Sequence, residues 1–248
     1  MVRPNCSATP SGSRETRGPC ATYGASRTPR RSILMATRPV FFPSTDGTQL
    51  VHERLFEFQW SSGFAEIQKK KNINALHSVA RENGVRDILE ISSKSSEELG
   101  RKLSAFSLKI DIDGQKYPLE SVYQGAKVFE QGGPFREVFE FSPRDAKRFI
   151  REANFGNLVR FELEGRSYPL SPMNAFYDWL YIRSLKDHAD WIERKVHYDA
   201  FTDIEFNPAK QVNCQARAFA EYLTLLKRSK ISEAASSFST FAKMIQTI

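Results

Sequence analysis

The chain has 248 residues, 40% of them hydrophobic and 19 of them Phe, enough for one globular domain with a sizeable core. Its formal charge of +7 sits at the front: residues 1 to 38 hold seven Arg against the single acid Glu15, so the remainder is close to neutral and offers no general nucleic-acid-coating surface. Two of the three Cys lie in that front segment, the four His show no metal-ligand spacing, and no apolar run reaches the roughly 18 residues of a membrane span, so a disulfide framework, a metal centre and a transmembrane anchor all lack support.

Residues 1–36 are rich in Ser, Thr, Pro, Gly and Arg and poor in acids, the composition of a targeting peptide and equally of a disordered or misassigned start with Met35 as the true initiator. The compartment expected is cytoplasmic or nuclear, and mitochondrial if that extension is a targeting segment. From Arg38 onward the pattern is that of a folded domain. "TQLVHERLFEFQW" alternates like a strand, and the following segment carries Ile67, Leu76, Val79 and Ala80 at helical spacing before a Gly84 stop. "DILEI" is a short apolar strand, "SSEELGRKL" a capped helix, and "FSLKIDIDGQKYP" a hairpin around Asp113-Gly114. The run "YPLESVYQGAKVF" then predicts a helix from Pro118 to the Gly132-Gly133 pair.

Ser142 and Pro143 open the next helix, and "LVRFELEGRSYPL" predicts a second hairpin. A helix starts at "SPMNAFYDWLYIRSL", "FTDIEFNP" is extended or loop, and Asn213 is placed to cap a last helix with Ala216, Phe219, Ala220, Leu223 and Leu226 on one stripe. The Ser-rich end after Arg228 predicts a weak helix or a frayed tail. The fold class expected is α+β: a helix-rich single domain over residues 37–229 with short hairpin strands, and a C-terminal tail over 230–248.

Four groups of residues carry chemical interest. On a continuous helix Glu120, Gln124 and Lys127 stand at i, i+4 and i+7 and share one face, which is either a cleft wall or a solvated amphipathic surface. Ser92, Ser93 and Lys94 fall on a strand-to-helix turn, where they form an anion pocket or only a cap. Asp178 is the sole acid among Phe176, Tyr177, Trp179 and Tyr181, placed to grip a base or ribose or to pair with Arg183. Asp203, Glu205, Lys210, Asn213 and Arg217 surround a helix start suited to phosphate, while Cys214 reads as a small buried residue.

Five blocks in order, "LEISSKS", "LSAFSL", "YPLESVYQGAKVFEQGGPF", "PLSPMNAFYDWLYI" and "YDAFTDIEFNPAKQVNCQARAFAEYL", resemble the NADAR family, and within it the DarT-associated members, over residues 37–229. The wider family's helix runs Ser-Glu-His-x-x-Gln-Ala-x-Lys. Glu120, Gln124 and Lys127 match it, whereas Leu119 and Ser121 depart from the Ser and His.

The resemblance implies a hydrolase that removes ADP-ribose from nucleobases, chiefly guanine in DNA, undoing the work of a DarT-type ADP-ribosyltransferase. Its alternatives are an N-glycosidase on riboflavin-pathway intermediates and a non-catalytic reader of ADP-ribosylated nucleic acid. It further implies no cofactor, Glu120, Lys127 and Asp178 as catalytic groups, and Lys94, Ser104, Gln124, Asp203, Asn213 and Arg217 as contacts. Trp60, Phe106, Phe176 and Trp179 are the stacking candidates. ADP-ribosylated DNA or nucleotide, the ADP-ribose product and a DarT-type toxin are the partners expected, with no membrane. Lys127 either traps an opened ribose as a Schiff base or supplies only charge while Glu120 activates water.

Overall fold

A computed structural model describes residues 34–47 and 49–246; the expectations for residues 1–33 lie outside them. Four strands form the main sheet in the order β2-β1-β9-β3, with β1 at Met35–Pro43, β2 at Val51–Gln59, β3 at Ile88–Glu90 and β9 at Ala200–Thr202. β1 and β2 are antiparallel from Met35↔Gln59 to Pro43↔Val51, and β3 runs parallel to β9. Strand β1 was masked in the sequence by Pro39, which lacks the N–H a central strand needs. Its full ladder runs along β2 alone, and its other edge meets β9 only at Phe41↔Phe201, so the missing donor is tolerated.

Both expected hairpins form. β4 (Lys109–Ile112) joins β5 (Gln115–Pro118) through Asp113 and Gly114, at φ 55° and 82°. β7 (Leu158–Leu163) joins β8 (Arg166–Tyr168) through Glu164 and Gly165, at φ 52° and 69°. Two consecutive positive φ values give the turn whose twist matches that of the strands it connects.

Helix α1 (Glu66–Glu82) buries Asn72, Ile73, Leu76, His77 and Ala80 and ends ahead of Gly84 at φ +87°; Ile67, expected on that buried face, is exposed. A five-residue α2 (Glu98–Lys102) has no side-chain cap, contrary to the expected one. In α4 (Pro143–Glu152) the Ser142 hydroxyl accepts the Asp145 N–H at 3.2 Å, as its cap position demands. Helix α5 (Ala175–Leu185) and, after the short α6 (Ala189–Lys195), α7 (Gln215–Lys227) pass through the centre of the main core. α7 is buried well beyond its expected stripe, since Ala218, Tyr222 and Leu225 are as enclosed as Phe219. Asn213 does not cap it: the cap position is Cys214, whose side chain makes no capping bond.

Two further expectations are corrected. The helix α3 spans only Leu119–Gly125, and Lys127 opens strand β6 (Lys127–Phe129), paired with Phe161. The carbonyls that would continue the helix are taken elsewhere, Gly125 O by Phe135 N–H and Ala126 O by Glu162 N–H, both at 2.7 Å. The Ser-rich end is helical, as one of its two expected forms had it, but as a packed pair, α8 (Ile231–Ser236) and α9 (Phe238–Gln246), rather than a weak helix or a frayed tail. Its apolar residues Ile231, Ala234, Phe238 and Phe241 recur at three- and four-residue steps between the serines and enter the core.

Candidate active site

A cavity of about 470 Å³ opens between α3, the turn after β3, α4 and the loop from β9 to α7. Of the residues singled out from sequence, Ser92, Ser93, Lys94, Ser104, Phe106, Glu120, Gln124, Lys127, Tyr177, Asp203, Glu205 and Asn213 line it. Asp178, Phe176, Trp179, Arg217 and Trp60 do not.

One wall is a relay of three side chains. Gln124 Nε2 donates to Glu120 Oε1 at 2.8 Å, as the i, i+4 spacing on α3 allows. Lys127 Nζ donates to Gln124 Oε1 at 2.7 Å, which fixes the amide orientation from both ends. Lys127 thus reaches the relay by the turn into β6 rather than by helical spacing. Its ammonium lies 4.8 Å from the centre of the Tyr123 ring. Burial pushes the amine down to about 8, against the pull of Glu120 and with help from the like charge of Lys147. Lys147, one helical turn from Arg144 on α4, stands 3.3 Å from Glu120 Oε1 and over the ring of Phe106 at 4.8 Å. Arg144 lines the cavity too.

A second wall follows β9. Asp203 accepts the Glu205 N–H at 3.1 Å, and Gln215 hydrogen-bonds its side chain while accepting Ala105 N–H at 2.9 Å and Ser104 Oγ–H at 3.2 Å. Burial, reinforced by the neighbouring Glu90 carboxyl, pushes Asp203 up to about 8 despite these donors. Glu90 is itself raised by burial, and it accepts from Thr202 Oγ1 at 2.7 Å and Ile204 N–H at 2.9 Å. At about 8, the Asp203 carboxyl is largely protonated at neutral pH and can donate a proton into the cavity.

Tyr123 and Tyr177 meet edge to face at 5.1 Å beneath these walls, and Asn213 Nδ2 donates to Tyr123 Oη at 2.6 Å. Sequence reasoning missed Tyr123, Arg144 and Lys147, and it named Tyr177 only as a neighbour of Asp178. The two cations share one face of α4 at i, i+3, a pattern common to solvated helix surfaces.

Of the segment "AFYDWLYIR", Asp178, Phe176 and Trp179 serve the core instead, and only Tyr177 reaches the cavity. Asp178 is wholly buried, accepts from Arg217 at 3.1 Å and from Asn174, and lies raised by burial against the pull of Arg217. Arg217 also approaches Glu221 at 3.8 Å. Arg183, the expected partner of Asp178, pairs with Glu164 at 2.9 Å. Phe176 stacks on Phe161 at 4.3 Å, Trp179 packs on Tyr168 and Phe238, and Trp60 packs on Phe58 beside Arg38. The periodicity of α5 is hidden because nearly every side chain on it is buried.

Among the described residues no group of three or more His, Cys, Asp or Glu could hold a metal ion, and no helix is long and apolar enough to cross a membrane. Residues 36–248 match the family described as the DarT1-associated NADAR antitoxin, and the chain belongs to that family. No curated protein matches it.

Proposed function

We propose that this cavity cleaves the bond between ribose and base nitrogen in ADP-ribosylated guanine, chiefly in DNA, releasing ADP-ribose and reversing a DarT-type modification. The observation that carries the reading is the pairing, in one cavity, of an amine near 8 on the Glu120–Gln124–Lys127 relay with a carboxyl near 8 at Asp203. An N-glycosidic bond breaks when positive charge on the ribose is stabilised and the leaving nitrogen receives a proton. Asp203 therefore takes the acid role that the sequence had suggested for Asp178.

In the route favoured by the lowered lysine, the linking nitrogen expels the ribose ring oxygen and passes its own proton to it, leaving an imine at C1′. Neutral Lys127 Nζ adds to C1′, and the base nitrogen departs with the bonding pair and a proton from Asp203. Water then adds to the lysine imine, returning Lys127 as an amine and freeing the aldehyde, which recloses as ADP-ribose. One C–N bond is broken and one water consumed. Glu120 supplies negative charge beside the developing cation and accepts the proton of the attacking water. Lys94, Arg144 and Lys147 are the cavity's cations for the diphosphate.

The test is incubation with an oligonucleotide carrying ADP-ribosylated guanine. Free ADP-ribose is the expected product, and intact substrate that stays bound would sink the hydrolase reading in favour of a reader. Borohydride added during turnover should trap a covalent adduct in the wild-type chain and none in Lys127→Ala. Release without any adduct would replace the imine by direct water attack.

A further inference from the structure

Glu90 occupies a costly place. It is 2% exposed on β3 between Leu89 and Ile91, both fully enclosed, where an apolar side chain would pack without taking a carboxyl out of water. Its bonds point to a use beyond packing. Oε2 accepts the Thr202 hydroxyl at 2.7 Å and Oε1 accepts the Ile204 N–H at 2.9 Å, and the Ser92 hydroxyl donates to the same carboxyl. Residues 202 and 204 are the chain neighbours of Asp203, so Glu90 grips the chain on both sides of the proposed acid.

The grip extends to α1. His77 Nε2 lies 2.8 Å from Thr202 Oγ1. The Thr202 hydroxyl has one proton, and giving it to Glu90 leaves Oγ1 to accept the Nε2–H of His77. Burial lowers that imidazole to about 4, with help from Arg81, so the ring is neutral and its tautomer is set by the chain. Donation runs from His77 through Thr202 to Glu90, the direction that suits a charged Glu90. The other ionisable groups around the two carboxyls add little charge. Tyr177 and Tyr181 on α5 and Cys214 ahead of α7 are held neutral, each pushed up by burial. Glu205 is paired with Lys69 at 3.2 Å, and Lys94 shares the cavity wall.

We infer that Glu90 is a positioning residue for the glycosidic step: anchored to Thr202 and Ile204 and linked through Thr202 to His77, it stays a carboxylate and keeps the proton on Asp203 until the leaving nitrogen takes it. The inference rests on the reading of Asp203 as the acid. Where two buried carboxyls share a site, one of them retains its proton. Glu90 is the one that gives it up, because three donors meet it, whereas Asp203 has the Glu205 N–H and the Gln215 side chain. Once Asp203 has donated, two carboxylates stand side by side, and their repulsion draws a proton from water back onto Asp203.

The test reads the resting chain by NMR before it reads turnover. In Glu90→Gln the Ile204 N–H selects the amide oxygen, so the amide nitrogen faces Thr202, whose hydroxyl must then donate to His77 Nε2. Nitrogen spectra should show the Nε2–H tautomer of His77 in wild type and the Nδ1–H tautomer in the variant. The Asp203 carboxyl carbon, identified by its loss in Asp203→Asn, should titrate near 8 in wild type and about one unit lower in Glu90→Gln. Release of ADP-ribose from a modified oligonucleotide should then fall about fivefold at pH 8 and hardly at all at pH 6, where Asp203 is protonated in both chains. Equal losses at both pH values, an Asp203 midpoint that stays near 8 in the variant, or an Nδ1–H tautomer in wild type would overturn the inference. If Glu90→Gln does not fold, wild type decides alone: at pH 7 Glu90 should give a carboxylate signal and Asp203 a carboxyl signal, and the reverse would overturn the assignment. Wild type that passes these NMR tests but releases no ADP-ribose would sink the hydrolase reading and leave the pairing of Glu90 with Asp203 supported.

Discussion

Asp203→Asn separates acid catalysis from binding, and its effect on the pH profile follows from two values. Turnover by the imine route needs Lys127 neutral and Asp203 protonated, and both groups lie near 8. The fraction of molecules in that joint state is then about a quarter at pH 8, falling about threefold one unit to either side and about 25-fold at two units. The wild-type profile should therefore be a bell centred near 8, its acid limb set by Lys127 and its alkaline limb by Asp203. The amide keeps the size of the carboxyl and an acceptor for Glu205 N–H, but it has no proton to give. Asp203→Asn should lower kcat at pH 8 by about 10²- to 10⁴-fold and convert the alkaline limb into a plateau, leaving the acid limb in place.

Unfolding would not explain such a loss. A carboxyl whose pKa rises on folding contributes stability below its unfolded value of 3.8, and that contribution is lost as pH rises through about 8. The amide escapes this loss, so the variant should melt no lower than wild type at pH 9. The assay is single-turnover release of ADP-ribose from pH 6 to 10, with melting curves at each pH. A flat wild-type profile, or an alkaline limb that survives in Asp203→Asn, would refute the assignment of Asp203 as the acid.

Three further outcomes are expected. Lys127→Met should abolish activity and raise stability at pH 7 by about 1–2 kcal/mol, because removing the desolvated ammonium outweighs leaving Gln124 Oε1 without its donor. The gain is full below about 8, where the lowered amine is charged in the native state, and it fades towards 10.5; destabilisation at pH 7 in thermal melts would contradict it. Asp178→Ala should destabilise by about 3 kcal/mol, the low end for a broken buried pair, because Arg217 keeps only its longer 3.8 Å approach to Glu221, and a variant that folds normally but lacks activity would return Asp178 to the chemistry. Gly125→Ala places a methyl 2.6 Å from Phe135 O and 2.7 Å from the Phe139 ring, so it should cost about 1–3 kcal/mol and impair Lys127 two residues away; a neutral effect on both melting and turnover would contradict the tight α3 end.

Features of the fold that depend on neighbours in the chain were readable from sequence. Asp113-Gly114 and the Ser142 cap act within a few residues, and their outcomes follow from local sterics and one hydrogen bond. The 120/124 contact belongs to the same class. Where a distant segment competes for the same backbone groups, local reasoning fails, as with the Gly125 and Ala126 carbonyls claimed by Phe135 and Glu162. Asp178 shows the parallel failure for side chains: an acid among aromatics looks the same whether it faces a cleft or the core. Its burial comes from α7, which also supplies Arg217 from 39 positions away.

The relay explains why residues chosen on a wrong element assignment still meet in one hydrogen-bonded row. Glu120, Gln124 and Lys127 would share a face on an unbroken helix, yet the side chains meet because the chain leaves α3 at Gly125 and turns into β6. Ending the helix there has a chemical effect. As the first residue of β6, Lys127 is half-buried with its ammonium over Tyr123, where its amine is lowered to about 8. A lysine at the same spacing on a solvated helix would keep its ordinary high value and remain a charge. The local distortion that sequence reasoning missed is therefore what brings the Lys127 amine down to about 8, the range that the proposed imine route requires.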